Sequence, residues 1–303
     1  MAIIVGGFII AQRSTLLHRQ TPFANRTRIS APVGHGEGAV VTPGIPDIAL
    51  AAGLVAESAG VHTSRTLLLA ELRLLLAVCP ASTGVEGYRT AVVEGNVLLK
   101  RTATTRRATS KWVRQLYALD TALPVFAALR HLWDADAAGQ PTLAILCAVA
   151  RDPLLRATAT VVLDCAPGIE LPAPRLAEAI EAAYPGRFNA GTLRVLGSHT
   201  ASSWQQSGHL VGKVRKFRAL VQPTPASTPY ALLLGHLCDE RGVDLLATPW
   251  ARLLDAPPSA LDAQAFASAQ RGWLDYRRIG EIADFGFSAL LTTLPGEDNR
   301  GER

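Results

Sequence analysis

Between residues 63 and 163 apolar side chains recur at intervals of three and four and are punctuated by prolines and capping residues, the pattern of successive amphipathic helices. A capping pair, Thr63-Ser64, predicts a helix carrying Leu67, Leu68, Leu72, Leu75 and Leu76 and closed by Pro80. A second runs through Val85, Tyr88, Val92 and Leu99. A third opens after Thr102 and turns Val113, Leu116 and Leu119 inward with Trp112 at its edge. Pro124 starts a helix with Val125, Phe126, Leu129, Leu132 and Trp133, and Pro141 precedes one with Leu143, Ile145, Leu146 and Val149. Asp152-Pro153 pairs an N-cap with proline at the first helical position, ahead of Leu154, Leu155, Val161 and Val162.

The period breaks at residues 164–174, where prolines and a glycine read as a domain linker. Beyond it come a helix from Arg175 to Tyr184, another from Gly191 to Ser207 ended by Gly208, and an extended stretch from Leu210 to Val221. Helix, helix and a short basic strand pair is the order of a winged helix-turn-helix. A helix from Pro229 stopped by Gly242, the segment Pro249 to Leu254, a helix from Ser259 and an extended segment near Ile279 to Phe287 follow. The predicted class is mainly α, an N-terminal helical lobe followed by a winged-helix-like lobe with a small β component. The domains are residues 61–165 and 170–295, with a flexible tail at 296–303. Residues 1–60, rich in Gly, Pro, Ala and Thr without a sustained period, read as a disordered or misassigned N-terminal extension.

Composition narrows this picture. A chain of 303 residues builds cores without covalent staples, and its cysteines, Cys79, Cys147, Cys165 and Cys238, are spaced neither as a metal knuckle nor as a redox pair. They point to a reducing, cytoplasmic compartment. The apolar run Ile3 to Ile10 is too short for a membrane span and lacks a basic leader, so no membrane partner is expected.

The net charge is +5, and its placement carries the information. Between Glu181 and Asp239 there is no acidic residue, while Lys213, Arg215, Lys216 and Arg218 cluster where a wing is expected. A polyanion explains such a gap, because each phosphate neutralised releases counterions and a nearby carboxylate opposes binding. An ordinary solvated strand is the alternative. The helix before it aligns Arg194, Ser198, Ser202 and Gln205 on one face, residue types that reach phosphates or base edges. A polar solvent face is equally compatible with any one of them. A second acid-free window, Gly95 to Leu119, holds Lys100, Arg101, Arg106, Arg107, Lys111 and Arg114. On a helical wheel Arg107, Lys111 and Arg114 form one stripe roughly opposite Leu116. Thr102, Thr104 and Thr105 either donate to phosphate at the helix start or serve only as a cap.

Signals for catalysis are thin. The seven histidines make no His-x-x-x-His or His-Glu pair, Ser203 and His209 have no nearby acid in sequence, and no Gly-x-Ser-x-Gly elbow or phosphate loop is present. Neither catalytic residues, metal nor cofactor is expected.

The segments Arg65 to Arg73, Val93 to Arg107 with Leu116-Tyr117, and Thr200 to Leu210 with Lys216-Phe-Arg218 resemble the BrxA family of BREX phage-defence systems across residues 62–290. The resemblance implies a helical, winged-helix-containing DNA binder without assigned catalysis, whose first lobe is likened to the antitermination factor NusB. The expectation is a non-enzymatic accessory protein that binds double-stranded DNA and other BREX-system proteins. A scaffold docking partner defence proteins and an RNA-binding regulator are the alternatives.

Overall fold

The computed structural model describes residues 45–57 and 60–291, which belong to one compact unit. Its architecture is mainly α, with two small antiparallel sheets of two strands each. In chain order, α1 (Asp47–Ala51) and a 3₁₀ turn (Val61–Thr63) precede α2 (Leu69–Val78), α3 (Val85–Val93), α4 (Ala103–Tyr117) and α5 (Pro124–Trp133). Then come α6 (Gln140–Arg151), α7 (Pro153–Ala157) and α8 (Ala159–Leu163). The caps read from sequence are formed: the Thr102 hydroxyl accepts from Thr105 N at 3.1 Å, and Asp152 accepts from Leu154 N and Leu155 N at 3.0 and 3.3 Å.

Helix α6 is apolar on every side. All residues from Thr142 to Ala150 are buried, and the helix packs against α4, α5 and α11 (Ser227–Leu237), itself buried along nearly its whole length. Tyr230 of α11 donates to Val125 O of α5 at 2.8 Å. The core is therefore continuous across the boundary expected near residue 165.

Beyond that boundary, α9 (Ala173–Ala183) packs on α10 (Ala190–Gln206), followed by β1 (Leu210–Val211) and β2 (Phe217–Arg218). The strands pair Leu210 with Arg218 and Val211 with Phe217. The turn between them requires Gly212, with φ of +103°, because a Cβ there would lie 2.2 Å from Arg215 O. A short 3₁₀ segment (Gly242–Ala247), α12 (Pro249–Arg252), α13 (Pro258–Ala269), the hairpin β3 (Asp275–Ile279) and β4 (Ile282–Gly286), and α14 (Ser288–Leu291) complete the described chain.

Four expectations are corrected. Residues 45–57 are packed rather than part of an extension: Ala49, Ala52 and Leu54 are buried, Val125 N donates to Ala52 O, and Val55 N donates to Ala150 O. Residues 1–44 and the tail 296–303 lie outside the described residues. The helix expected to open at Thr63-Ser64 begins at Leu69 instead, because Leu68 takes a left-handed φ of 54° and Thr63 is spent on the 3₁₀ turn, donating to Gly60 O. The segment read as a linker is partly sheet, since Leu171 N donates to Lys216 O and Arg218 N to Ile169 O. With Gly168 N donating to Arg218 O, three of its backbone groups pair with residues 216–218. At the C-terminus the sequence indicated one extended segment where there are two strands, joined at Gly280 with φ of +59°.

Candidate nucleic-acid interface

The helix-helix-hairpin unit anticipated from sequence is present, but three of the four wing cations have partners within the protein. Arg218 is buried at 2% exposure and grips both carboxylate oxygens of Asp255, one at 3.0 Å. It is no phosphate contact. Arg215 remains exposed and bridges Glu170, donating from Nε at 2.9 Å, and this bond holds the Glu170 carboxyl below its usual range. Lys216 donates to Gln205 Oε1, so a base-reading candidate and a phosphate candidate occupy each other. Lys213 is exposed and makes no ion pair among the described residues. The stretch that is acid-free in sequence is not acid-free in space, because Glu170 and Asp255 enter it from either side.

On α10 the sequence had the face right and its surroundings wrong. Leu196, Gly197, Thr200, Ala201, Ser203 and Trp204 are buried, while Arg194 and Ser198 are exposed and Ser202 and Gln205 half-buried. Ser202 spends its proton on Ser198 O at 2.9 Å. The groove between α9 and α10 carries Glu178 and Glu181 beside Arg194 and Ser198. Glu178 pairs with Arg175 at 3.2 Å and Glu181 accepts from Gly186 N at 2.9 Å, and among the described residues Arg194 is the one cation lining this groove beside two carboxylates, a balance that disfavours a phosphate backbone.

The α4 region differs. Arg101, Arg107, Lys111 and Arg114 are all exposed, and none has an ion-pair partner among the described residues. Thr102 and Asn96, which accepts from Lys100 N, fix the start of the helix. The apolar residues Val113, Leu116 and Tyr117 anchor its inner face, with Tyr117 donating to Leu67 O. Lys100 leaves the set by pairing with Glu71 at 2.9 Å, and Arg106 is half-buried with its Nε lacking a hydrogen bond. Arg65, which sequence reasoning did not single out, stacks 3.8 Å over the Trp112 ring.

The structure also assembles a serine–histidine–aspartate constellation that no sequence spacing announced. His62 Nδ1 lies 2.8 Å from Asp152 Oδ2, and its Nε2 lies 2.8 Å from Ser203 Oγ. All three are 0–1% exposed, so no acyl group can reach Ser203 Oγ, and His199 O at 2.9 Å also claims its proton. Catalytic triads need an open nucleophile. This network instead ties three elements together: Asp152 caps α7, accepts from Val61 N at 2.7 Å and His62 N at 3.2 Å, and reaches α10 through His62. Burial opposes ionisation of Asp152, but His62 and the amides outweigh it and hold the carboxyl below its ordinary pKa.

His209, paired with Ser203 in the sequence argument, belongs to another buried network. It lies 2.8 Å from Ser207 Oγ and 2.9 Å from Leu253 O, and burial lowers its pKa to about 4. Cys79 and Cys147 are buried, Cys165 and Cys238 half-buried, and none is bonded to another. Among the described residues no three His, Cys, Asp or Glu side chains converge as metal ligands, and no helix is long and apolar enough to cross a membrane. Set against models of known protein families and against curated proteins, the chain matches none.

Proposed function

We propose that this protein binds nucleic acid, double-stranded DNA foremost, largely through phosphates and without catalysing a reaction on it. The outer face of α4 is the main contact. One observation carries the reading: Arg107, Lys111 and Arg114 lie exposed along one stripe of α4, a helix without an acidic residue, Arg101 is exposed just before its start, and none of the four has an ion-pair partner among the described residues. The wing cations are by contrast mostly spent inside the protein. Phosphate contacts of this kind supply affinity without sequence readout. The resemblance to the BrxA family extends the proposal to an accessory role in BREX-type anti-phage defence, alongside other proteins of that system.

The test is fluorescence anisotropy on duplex DNA over a salt series. Replacing Arg107, Lys111 and Arg114 by Gln lowers the slope of log affinity against log salt by about 3, at roughly 0.9 per phosphate contact. Replacing Lys213 alone changes it by at most about 1. A slope unchanged in the triple variant, with the fold intact by circular dichroism, overturns the α4 assignment. Preference for structured RNA over duplex identifies the RNA-binding alternative, and binding only to protein partners the scaffold.

A further inference from the structure

Beside the basic stripe of α4 lies a cleft of about 590 Å³ between α3 and α4, within the range of small-molecule sites. Val85, Val93, Leu119 and Leu123 give it apolar walls, and Ser110 and Gln115 add polar side chains. Arg107, Lys111 and Arg114 reach it from α4, and Arg151 from the end of α6.

Arg151 is the group that distinguishes this cleft from an ordinary crevice. Its Nε donates to Gln115 O at 3.1 Å and its Nη1 to Gly53 O, which fixes the guanidinium plane. Among the described residues its Nη2 has no hydrogen bond and no carboxylate pairs with it. Burial lowers its pKa, and the charge of Arg114 acts in the same direction. Of the two carboxylates lining the cleft, Glu86 is paired with Arg89, while Asp120 accepts from Ala122 N and keeps its charge, against four cations at the same cleft besides Arg89. A part-buried guanidinium with one edge free and no ion-pair partner among the described residues gains from an anion entering the cleft, through a charge-assisted hydrogen bond.

We propose that the α3–α4 cleft binds a nucleoside phosphate, its phosphate between Arg114 and Arg151 and its base against Val93, Leu119 and Leu123 with Ser110 and Gln115 at the base edge. The ligand is a free nucleotide or the unpaired end of a strand whose duplex lies on α4. The second source rests on the function proposed above; the first does not.

Calorimetry on the full chain with AMP, inorganic phosphate and octanoate tests the chemistry, and anisotropy with a blunt hairpin and the same hairpin bearing a three-nucleotide overhang tests the source. AMP binds with a dissociation constant below about 1 mM at low salt, and phosphate and octanoate bind at least about tenfold more weakly. Val93→Trp, which fills the cleft, weakens AMP about tenfold or more; Arg114→Gln does the same should the Trp variant fail to fold. Tighter binding of the overhang, lost in Val93→Trp, identifies a strand end, and equal binding identifies a free nucleotide. Absence of AMP binding up to about 10 mM with no overhang preference overturns the cleft proposal even where the blunt hairpin binds. Octanoate binding as well as AMP overturns the base assignment. Failure of the blunt hairpin to bind overturns the proposed function, while AMP still reads the cleft.

Discussion

Arg218 on β2 and Asp255 beyond α12 form a bidentate ion pair at 1% and 5% side-chain exposure, which ties the wing to the C-terminal part of the chain. Asp255 also accepts from Val221 N at 3.1 Å, and Arg218 donates to His209 O at 3.3 Å. Removing one partner strands a buried charge. Arg218→Ala therefore costs about 3–5 kcal/mol of stability, read by urea denaturation, whereas Arg218→Met with Asp255→Leu recovers much of it. A change under 1 kcal/mol in the single variant, on the order expected for a solvated arginine, contradicts the buried pair.

Residues 45–57 supply backbone acceptors that side chains of the core depend on: Gly53 O for Arg151, and Val55 O for Arg156 at 2.7 Å. A chain beginning at Val61 loses these along with the buried Ala49, Ala52 and Leu54. Its stability falls by at least about 2–3 kcal/mol, seen as a lower Tm in scanning calorimetry. An unchanged Tm shows that the helical body does not need the segment.

His209 makes stability depend on pH. Its folded pKa of about 4 lies below the ordinary 6.5, because burial penalises the imidazolium more than Asp255 at 4.0 Å rewards it and Arg218 adds to the penalty. Above pH 6.5 both folded and unfolded chains hold it neutral, so its contribution is complete. As pH falls from 6.5 toward 4 only the unfolded chain takes up the proton, and stability declines by on the order of 3 kcal/mol. His209→Gln, tested by denaturation across that window, flattens this limb. An equally steep limb in the variant assigns the effect elsewhere.

Asp152 acts at lower pH and in the same direction. Its carboxyl is held below its unfolded value, so its stabilisation is present above pH about 4 and is lost as pH falls through the folded pKa. Asp152→Asn removes that acid-side loss and lowers stability at neutral pH, where His62 and four amides lose a charged acceptor.

Ser203 is inert toward acylating reagents. A fluorophosphonate probe does not label the native chain, and Ser203→Ala costs about 1–3 kcal/mol because the His62 ring nitrogen loses its buried partner. Stoichiometric labelling of folded protein, abolished in the Ala variant, would show that the triad opens to solvent.

How far each of these features was readable in the sequence depended on the range of the contact behind it. Periodicity and capping residues determined the helical class, the starts of α4 and α7 at Thr102 and Asp152, and the outward stripe of Arg107, Lys111 and Arg114, because those depend on neighbours within four residues. A tally of charge along the chain likewise found the basic windows. Only the tertiary structure decided which cations stay free, since Glu170 lies 45 residues before Arg215 and Asp255 lies 37 after Arg218. The same holds for His62, Asp152 and Ser203, brought together across 90 and 141 positions. A hydrophobic period states that a face is buried, not against what, and an ion pair obeys distance in space, for which separation along the chain is no guide.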